Sequence, residues 1–347
     1  MKKTLFTHTH QPKSRLWLAV ILGISLVILA ACQQADESPL TSTVLPTSTQ
    51  IESQAAPTAA TEPDTSTAAV TTEPTAEATE TAAPTELAEG FWQDLPVIPT
   101  EISDAMREVY QKGLSMGNDP RIFTKLGDCN SMSPDFLHGF GGLYNLGEFA
   151  YLQPVIDYYQ GAFRLPNQST NPGTTTSRLL SSLWTNDQCM ADELMLDCQF
   201  RLDNPSIAII SLGTIDAKYN YLDPTAFERN LRVIIENTLA RGIVPVLATK
   251  ADNIEGDNSI NETIARLAIE YELPLWNFWR AAQDTVNHGL LPDLEHLNSW
   301  SGPPATDFSL PISMDYGKEV KNITALQMLE FLMRELAVPT AQVTPAP

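Results

Sequence analysis

The sequence predicts an α/β fold, a three-layer α/β/α sandwich with a central parallel sheet, over residues 91–337 of a 347-residue chain. Three observations carry this. Ser206-Ile207-Ala208-Ile209-Ile210-Ser211-Leu212 is a continuous apolar run of the kind found in strands buried on both faces. Stretches of helical periodicity alternate with such runs, as they do where helices cover a parallel sheet. The span of about 245 positions is long enough to bury a full core in one domain.

The chain before the domain reads as an address and a tether. Lys2, Lys3, Lys13 and Arg15 precede the apolar run Leu16 to Leu29, which is short for a bilayer span. The run ends in Leu29-Ala30-Ala31-Cys32, which is similar to a bacterial lipobox. That similarity implies a signal peptide over residues 1–31, lipidation of Cys32, and an extracytoplasmic domain anchored to the cell membrane. Residues 32–90 are dominated by Thr, Ala, Pro, Ser and Glu, with no Lys or Arg between Arg15 and Arg107. Such a composition cannot bury enough apolar surface to offset its ordering entropy, and predicts a disordered linker reaching roughly 40 Å. The Pro/Thr-rich residues 338–347 are expected to form a loose tail.

Within the domain, Arg121 to Leu126, Ser206 to Leu212, Ile243 to Thr249 and Leu273 to Phe278 read as strands. Phe227, Leu231, Ile234, Ile235 and Leu239 share one helical face after Pro224, and Arg241-Gly242 supplies a stop. Asn261 to Tyr271 and Val320 to Leu336 carry the same periodicity, the latter through Val320, Ile323, Leu326, Leu329 and Leu332. Functional residues of open parallel sheets gather at the carboxyl ends of strands. There the sequence places Gly127-Asp128-Cys129 after the first strand and Gly213-Thr214-Ile215-Asp216 after the second.

The chain carries 21 Lys+Arg against 42 Asp+Glu, a formal net charge of -21. Phosphate backbones are bound through clustered cations, and none is visible, so nucleic acid is not an expected partner. Nothing specifies an oligomer. No metal-ligand spacing, phosphate loop or dinucleotide fingerprint is present, so no metal or other cofactor is implied. Three cysteines remain besides Cys32. Cys189 and Cys198 close a polar, loop-like stretch and are a disulfide candidate in an oxidising compartment, a closure contributing about 3 kcal/mol in the chain-entropy model. Cys129 is then free. The cluster Trp276, Phe278 and Trp279 reads as core packing.

Gly127-Asp128-Cys129-Asn130-Ser131 after a strand, with Asp293-Leu294-Glu295-His296 near the end of the domain, resembles the SGNH/GDSL hydrolase family over residues 119–336. The resemblance implies a flavodoxin-like hydrolase fold and ester-bond chemistry. It places Cys129 where the family has its serine nucleophile, His296 as the base, and Asp293 as the group orienting that base. Gly173 in Asn171-Pro172-Gly173-Thr174 matches the backbone oxyanion donor, and Ile215 stands where the family has an asparagine amide. Among the domain's histidines, His138, His288 and His296, the one the resemblance takes as the base is His296, with Asp293 three residues before it and able to hold one tautomer. Asp128 and Asp216 are assigned to loop geometry.

Two departures from the family pattern pull against one another. A thiol beside a histidine can exist largely as thiolate, which suits Cys129 as a nucleophile. Losing one oxyanion donor costs on the order of 3 kcal/mol, or ~100-fold in rate. Two functions of different class therefore follow. One is a surface-anchored hydrolase of acyl or acetyl esters, acting on a small molecule or an acylated glycan through a Cys-His-Asp triad. The other is a degenerate relative that binds an envelope glycan or acylated ligand without turnover. The domain boundary is testable by limited proteolysis: a stable fragment beginning near residue 90 is expected, and rapid cleavage inside residues 206–280 would contradict the single domain.

Overall fold

The computed structural model describes residues 87–132, 134–219 and 222–336. The leader, Cys32, most of the linker and the tail lie outside them. Among the described residues no helix is long and apolar enough to cross a membrane. Helix α1 (Asp104–Met116) starts at Ser103, whose side chain accepts from Met106 N, and stops at Gly117 in the left-handed region. This is an ordinary cap and stop pair. Strand β1 (Asp119–Gly127) follows, then the short helices α2 (Gln153–Tyr158), α3 (Thr176–Leu179) and α4 (Met195–Asp203). Strand β2 (Pro205–Ser211), helices α5 (Thr214–Tyr219) and α6 (Ala226–Ala240), and strand β3 (Val244–Ala248) come next. Helix α7 (Ser259–Glu270), strand β4 (Leu275–Trp276), helix α8 (Phe278–Ala282) and helix α9 (Gly317–Leu336) complete the order.

The sheet is parallel throughout, in the order β1-β2-β3-β4. A parallel bridge between Gly127 and Thr170 adds a short segment beyond β1. With that segment the sheet has the 2-1-3-4-5 order of flavodoxin-like proteins. Every residue of β2 and β3 is buried, as strands covered on both faces require. Gly127 pairs with Ser211, so the ends of β1 and β2 are level. The loops that follow, at Asp128 and Leu212, therefore open on the same edge.

Two expectations are corrected. The stretch Leu273 to Phe278 is a strand only over Leu275–Trp276. Asn277 turns the chain, its side chain accepting from Arg280 N, and Phe278 already belongs to α8. The supposed loop from Gln188 to Gln199 runs into helix α4, with Cys198 on its buried side. Its polar letters misled because they are satisfied inside: Gln199 Nε2 donates to Asp203 Oδ2 (2.7 Å), which also accepts from Thr124 Oγ1 (2.5 Å). The Cys189–Cys198 disulfide is formed, and Cys129 is free. Trp276 and Phe278 are core residues, and Trp279 packs edge-on against Trp92.

Helix α9 departs from simple amphipathicity. Its first turns are buried on all sides, including Glu319, Lys321 and Asn322. Asn322 Oδ1 accepts from Leu137 N (2.6 Å), and its Nδ2 donates to Asp135 O (2.8 Å) and Lys318 O (2.8 Å). The helix thus holds the loop after Cys129 against the end of the sheet.

Gly127 shows how tightly this junction is built. A Cβ placed there would lie 2.5 Å from the Ser131 side chain and 2.8 Å from the backbone oxygen of Ser211. The serine can rotate away, but the strand cannot. Gly127→Ala is expected to lower stability by about 1–3 kcal/mol, the usual cost of overpacking, measured by urea unfolding. An unchanged midpoint would show that the two strand ends can separate.

Candidate functional site

Cys129 opens a single 3-10 turn, Cys129–Ser131, at the carboxyl end of β1. Asp128 begins it, its Oδ1 accepting from Asn130 N (3.0 Å). This is the loop-fixing role its sequence position suggested. From the far end of the domain, residues 290–297 return to meet it. Leu290 and Leu297 form an antiparallel bridge, and Leu294 takes the left-handed conformation (φ 59°) to close the turn between them. Inside that turn Asp293 Oδ1 accepts from the backbone N of Glu295 and of His296 (both 3.0 Å). Its Oδ2 lies 2.9 Å from His296 Nδ1. Those bonds hold the Asp293 carboxyl down at about 2. With Nδ1 engaged, Nε2 is the imidazole nitrogen left to exchange a proton.

The two loops converge. Cys129 Sγ, an imidazole nitrogen of His296 and a carboxylate oxygen of Glu295 all lie within 4.8 Å of one another. Asn130 sets this approach: its Nδ2 donates to Glu295 O (2.9 Å) and its Oδ1 accepts from Leu297 N (3.1 Å). The side chain next to Cys129 thus grips the backbone on both sides of His296. Glu295 is paired through Oε2 with Lys218 Nζ at 2.5 Å, from helix α5. Neither Asn130, Glu295 nor Lys218 was singled out from the sequence. Only the adjacency of Asn130 to Cys129 and of Glu295 to His296 pointed to them.

Lys321 sits beneath the turn, wholly buried. Its Nζ donates to Asn130 O (3.0 Å), Ser211 Oγ (3.0 Å) and Ser131 Oγ (3.2 Å). Burial pulls this lysine down to about 8, opposed first by the charge of Asp128. Ser131 is itself buried, so the turn presents Cys129 and not the serine two residues later.

The expected depressed thiol is corrected. Burial, followed by the negative charges of Asp128 and Glu295, pushes Cys129 up to about 11, and Lys321 offsets this only in part. The sequence could place a histidine beside the thiol but not two carboxylates.

The segment carrying Gly173 lies along the free edge of β1. Gly127 N donates to Ser169 O (3.0 Å), two residues before Asn171-Pro172-Gly173 turns away from the sheet with Gly173 at φ 80°. Asp216 fixes the far side of that turn, accepting from Thr176 N (3.0 Å) and Thr176 Oγ1 (2.6 Å). Its carboxyl is raised to about 6 by burial. Ile215 is buried in the first turn of α5 and brings no polar group. A groove of about 710 Å³ opens on this side, lined by Gly173, Arg178, Trp184, Asp216, Tyr219 and Phe227. The guanidinium of Arg178 lies 4.7 Å over the Trp184 ring. His138 and His288 stand elsewhere, the latter with Nδ1 3.1 Å from Gln283 O.

The fold and site together define a parallel α/β/α protein with a thiol, an imidazole and its carboxylate gathered at the carboxyl ends of its strands. No protein-family model matches the sequence, and no curated protein matches it. Among solved structures the chain is similar to a GDSL-like lipase from Bacteroides thetaiotaomicron, at 14% identity over 65% of this chain and 98% of that one, TM-score 0.36. It is similar also to an acetylxylan esterase from Geobacillus stearothermophilus (16% identity, 60% and 94% covered, TM-score 0.35). A third is AlinE4, an SGNH-hydrolase family esterase (22% identity, 53% and 88% covered, TM-score 0.30). These are likenesses of fold, and the architecture rests on the strand order and packing described above.

The state of the thiol gives a direct test. With its pKa near 11, the thiolate fraction of Cys129 at pH 8 is roughly a hundredfold below that of an ordinary cysteine. Iodoacetamide should label it slowly, at a rate still climbing above pH 9. Glu295→Gln removes one opposing charge and should speed labelling at pH 8. Rapid labelling of the parent at pH 6 would contradict this account.

Proposed function

We propose that the domain is a hydrolase of acyl or acetyl esters, held outside the cell on a lipid anchor at Cys32, with a small ester or an acylated glycan as substrate. The observation that carries this reading is the Asp293–His296 pair, set 2.9 Å apart and facing Cys129 Sγ from the opposite end of the domain. A carboxylate on Nδ1 fixes the tautomer whose Nε2 can take a proton. Because the thiol rests protonated, His296 acts as general base during attack and does not store an ion pair beforehand.

The steps balance as follows. Cys129 Sγ bonds to the ester carbonyl carbon as its proton passes to His296 Nε2. The backbone N–H groups of Cys129 and Gly173 are the donors proposed to meet the oxyanion. Collapse breaks the carbon–oxygen bond to the alcohol, which leaves with the proton from His296, and a thioester remains on Cys129. Water then attacks the thioester carbonyl, giving its proton to His296. The carbon–sulfur bond breaks, the carboxylic acid departs, and the proton on His296 returns to Cys129 Sγ to restore the thiol. The groove at Gly173 and Trp184 is lined by neither Cys129 nor His296, and only a part of the substrate remote from the ester is assigned to it.

A second reading has its own support. A thiol pushed up to about 11, and an Ile215 side chain in place of an amide, suit a site that binds an acylated ligand without turnover. Hydrolysis of short-chain aryl esters separates the two. In the hydrolase reading Cys129→Ala and His296→Ala each reduce kcat/KM by at least about 100-fold. An inactive parent that gains turnover in the double variant Cys129→Ser, Ile215→Asn would favour the binding reading. Turnover that survives Cys129→Ala would defeat the proposed nucleophile.

A further inference from the structure

The three groups that meet at the site are a sulfur, a nitrogen and an oxygen donor. Cys129 Sγ, an imidazole nitrogen of His296 and a Glu295 carboxylate oxygen lie within 4.8 Å of one another. Three donors around one zinc-class ion stand roughly 3–4 Å apart, given bonds of about 2.0–2.3 Å. A movement of about 1 Å therefore suffices to close the set, and the His296 side chain, 44% exposed, has room to make it. We propose that Cys129, His296 and Glu295 form a binding site for a divalent zinc-class ion, with a fourth position open to solvent.

The surroundings support this independently of the trio. His296 already has Asp293 Oδ2 on Nδ1 at 2.9 Å, the outer carboxylate that orients and enriches a metal-bound imidazole and leaves Nε2 for the ion. Glu295 engages Lys218 through Oε2, so Oε1 stays available, and Lys218 competes for the same carboxylate. A mixed sulfur, nitrogen and oxygen set selects a borderline ion such as Zn²⁺ over Mg²⁺ or Ca²⁺, which prefer oxygen alone. The other sulfur-bearing cluster among the described residues, Cys189, Glu193 and Cys198, offers no such site because its two sulfurs are bonded to each other.

Binding replaces the thiol proton: the thiol and Zn²⁺ give a zinc thiolate and one released proton. In that state His296 Nε2 is bonded to the ion and cannot take a proton, and the bond to the ion lowers the nucleophilicity of the Cys129 sulfur. The inference thus goes beyond the ester reading and is tested without reference to turnover.

The full chain, with its disulfide intact and freed of metal by chelator, is titrated with Co²⁺ under anaerobic conditions. One equivalent should bind with a thiolate-to-cobalt charge-transfer absorption, and Zn²⁺ should displace it. Cys129→Ser should abolish the absorption. Asp293→Asn should weaken binding about 10–100-fold, and Lys218→Met should tighten it by freeing Glu295. Far-ultraviolet circular dichroism checks that each variant is folded. A parent with no charge-transfer absorption overturns the proposal, as does the same absorption persisting in Cys129→Ser, where Cys32 would be the source. Either result leaves the aryl-ester assay, run in chelator, free to decide the hydrolase reading.

Discussion

The buried ammonium of Lys321 is the constraint on which the rest of the site depends. Taking a lysine out of water costs several kcal/mol unless its charge is balanced and its three protons are accepted. Here the acceptors are Asn130 O, Ser131 Oγ and Ser211 Oγ, two from the turn after β1 and one from the end of β2. Asp128, also fully buried, supplies the opposing charge that holds the lysine's pKa up against burial. The helix that carries Lys321 can therefore meet the sheet in only one way. From that fixed point the site follows outward. Lys321 holds the carbonyl of Asn130, the Asn130 side chain holds the backbone at Glu295 and Leu297, and His296 is brought to the thiol between them.

A second buried network does the same for the neighbouring strand end. Lys250 Nζ donates to Asp252 Oδ1 (2.8 Å) and to Glu255 (2.6 Å), while Asp252 Oδ2 accepts from Thr214 Oγ1 (2.7 Å) at the start of α5. The loop after β3 is thus tied to the loop after β2. Removing one member of such a set leaves an uncompensated buried charge, a loss of roughly 3–5 kcal/mol. Its contribution to function is positional. It fixes the helix that bears Ile215, Asp216 and Lys218, and through Asp216 it fixes the turn that bears Gly173.

The parallel sheet was legible because burial on both faces writes itself into the sequence as unbroken apolar runs, as in Ile207 to Ile210. Helix α6 was legible from one apolar face and an Arg-Gly stop. Helix α4 was not, because Gln199 and Asp203 are polar residues that find partners inside. That Cys129 and the Asp293–His296 pair would lie together was expected from a resemblance carried by Gly127-Asp128-Cys129 and Asp293-Leu294-Glu295-His296, each a local pattern. The electrostatics of the thiol could not be read in this way. They depend on Glu295 and Lys321 reaching Cys129 across more than a hundred and fifty positions of sequence, and no local pattern encodes that distance. Lys321 itself was hidden in a helix whose periodicity suggested that its polar positions face water.

What the structure adds is a thiol held between opposing demands. Burial, Asp128 and Glu295 favour the protonated form, while Lys321 favours the anion and loses. A hydroxyl in the same place would be little affected, since it is neutral at any ordinary pH. For a sulfur the difference is decisive, because reactivity and oxidation both follow the thiolate. The free cysteine is therefore held in its protonated form, by burial first and by the two carboxylates second. The two proposals made for this site each answer that constraint. His296 can take the proton while a carbonyl accepts the electron pair, or a divalent cation can replace the proton and neutralise Glu295 at the same time. Both use the same imidazole nitrogen and the same sulfur, so they exclude one another at any instant. The carboxylate of Glu295 separates them. It raises the cost of a thiolate in the first case and becomes a ligand in the second.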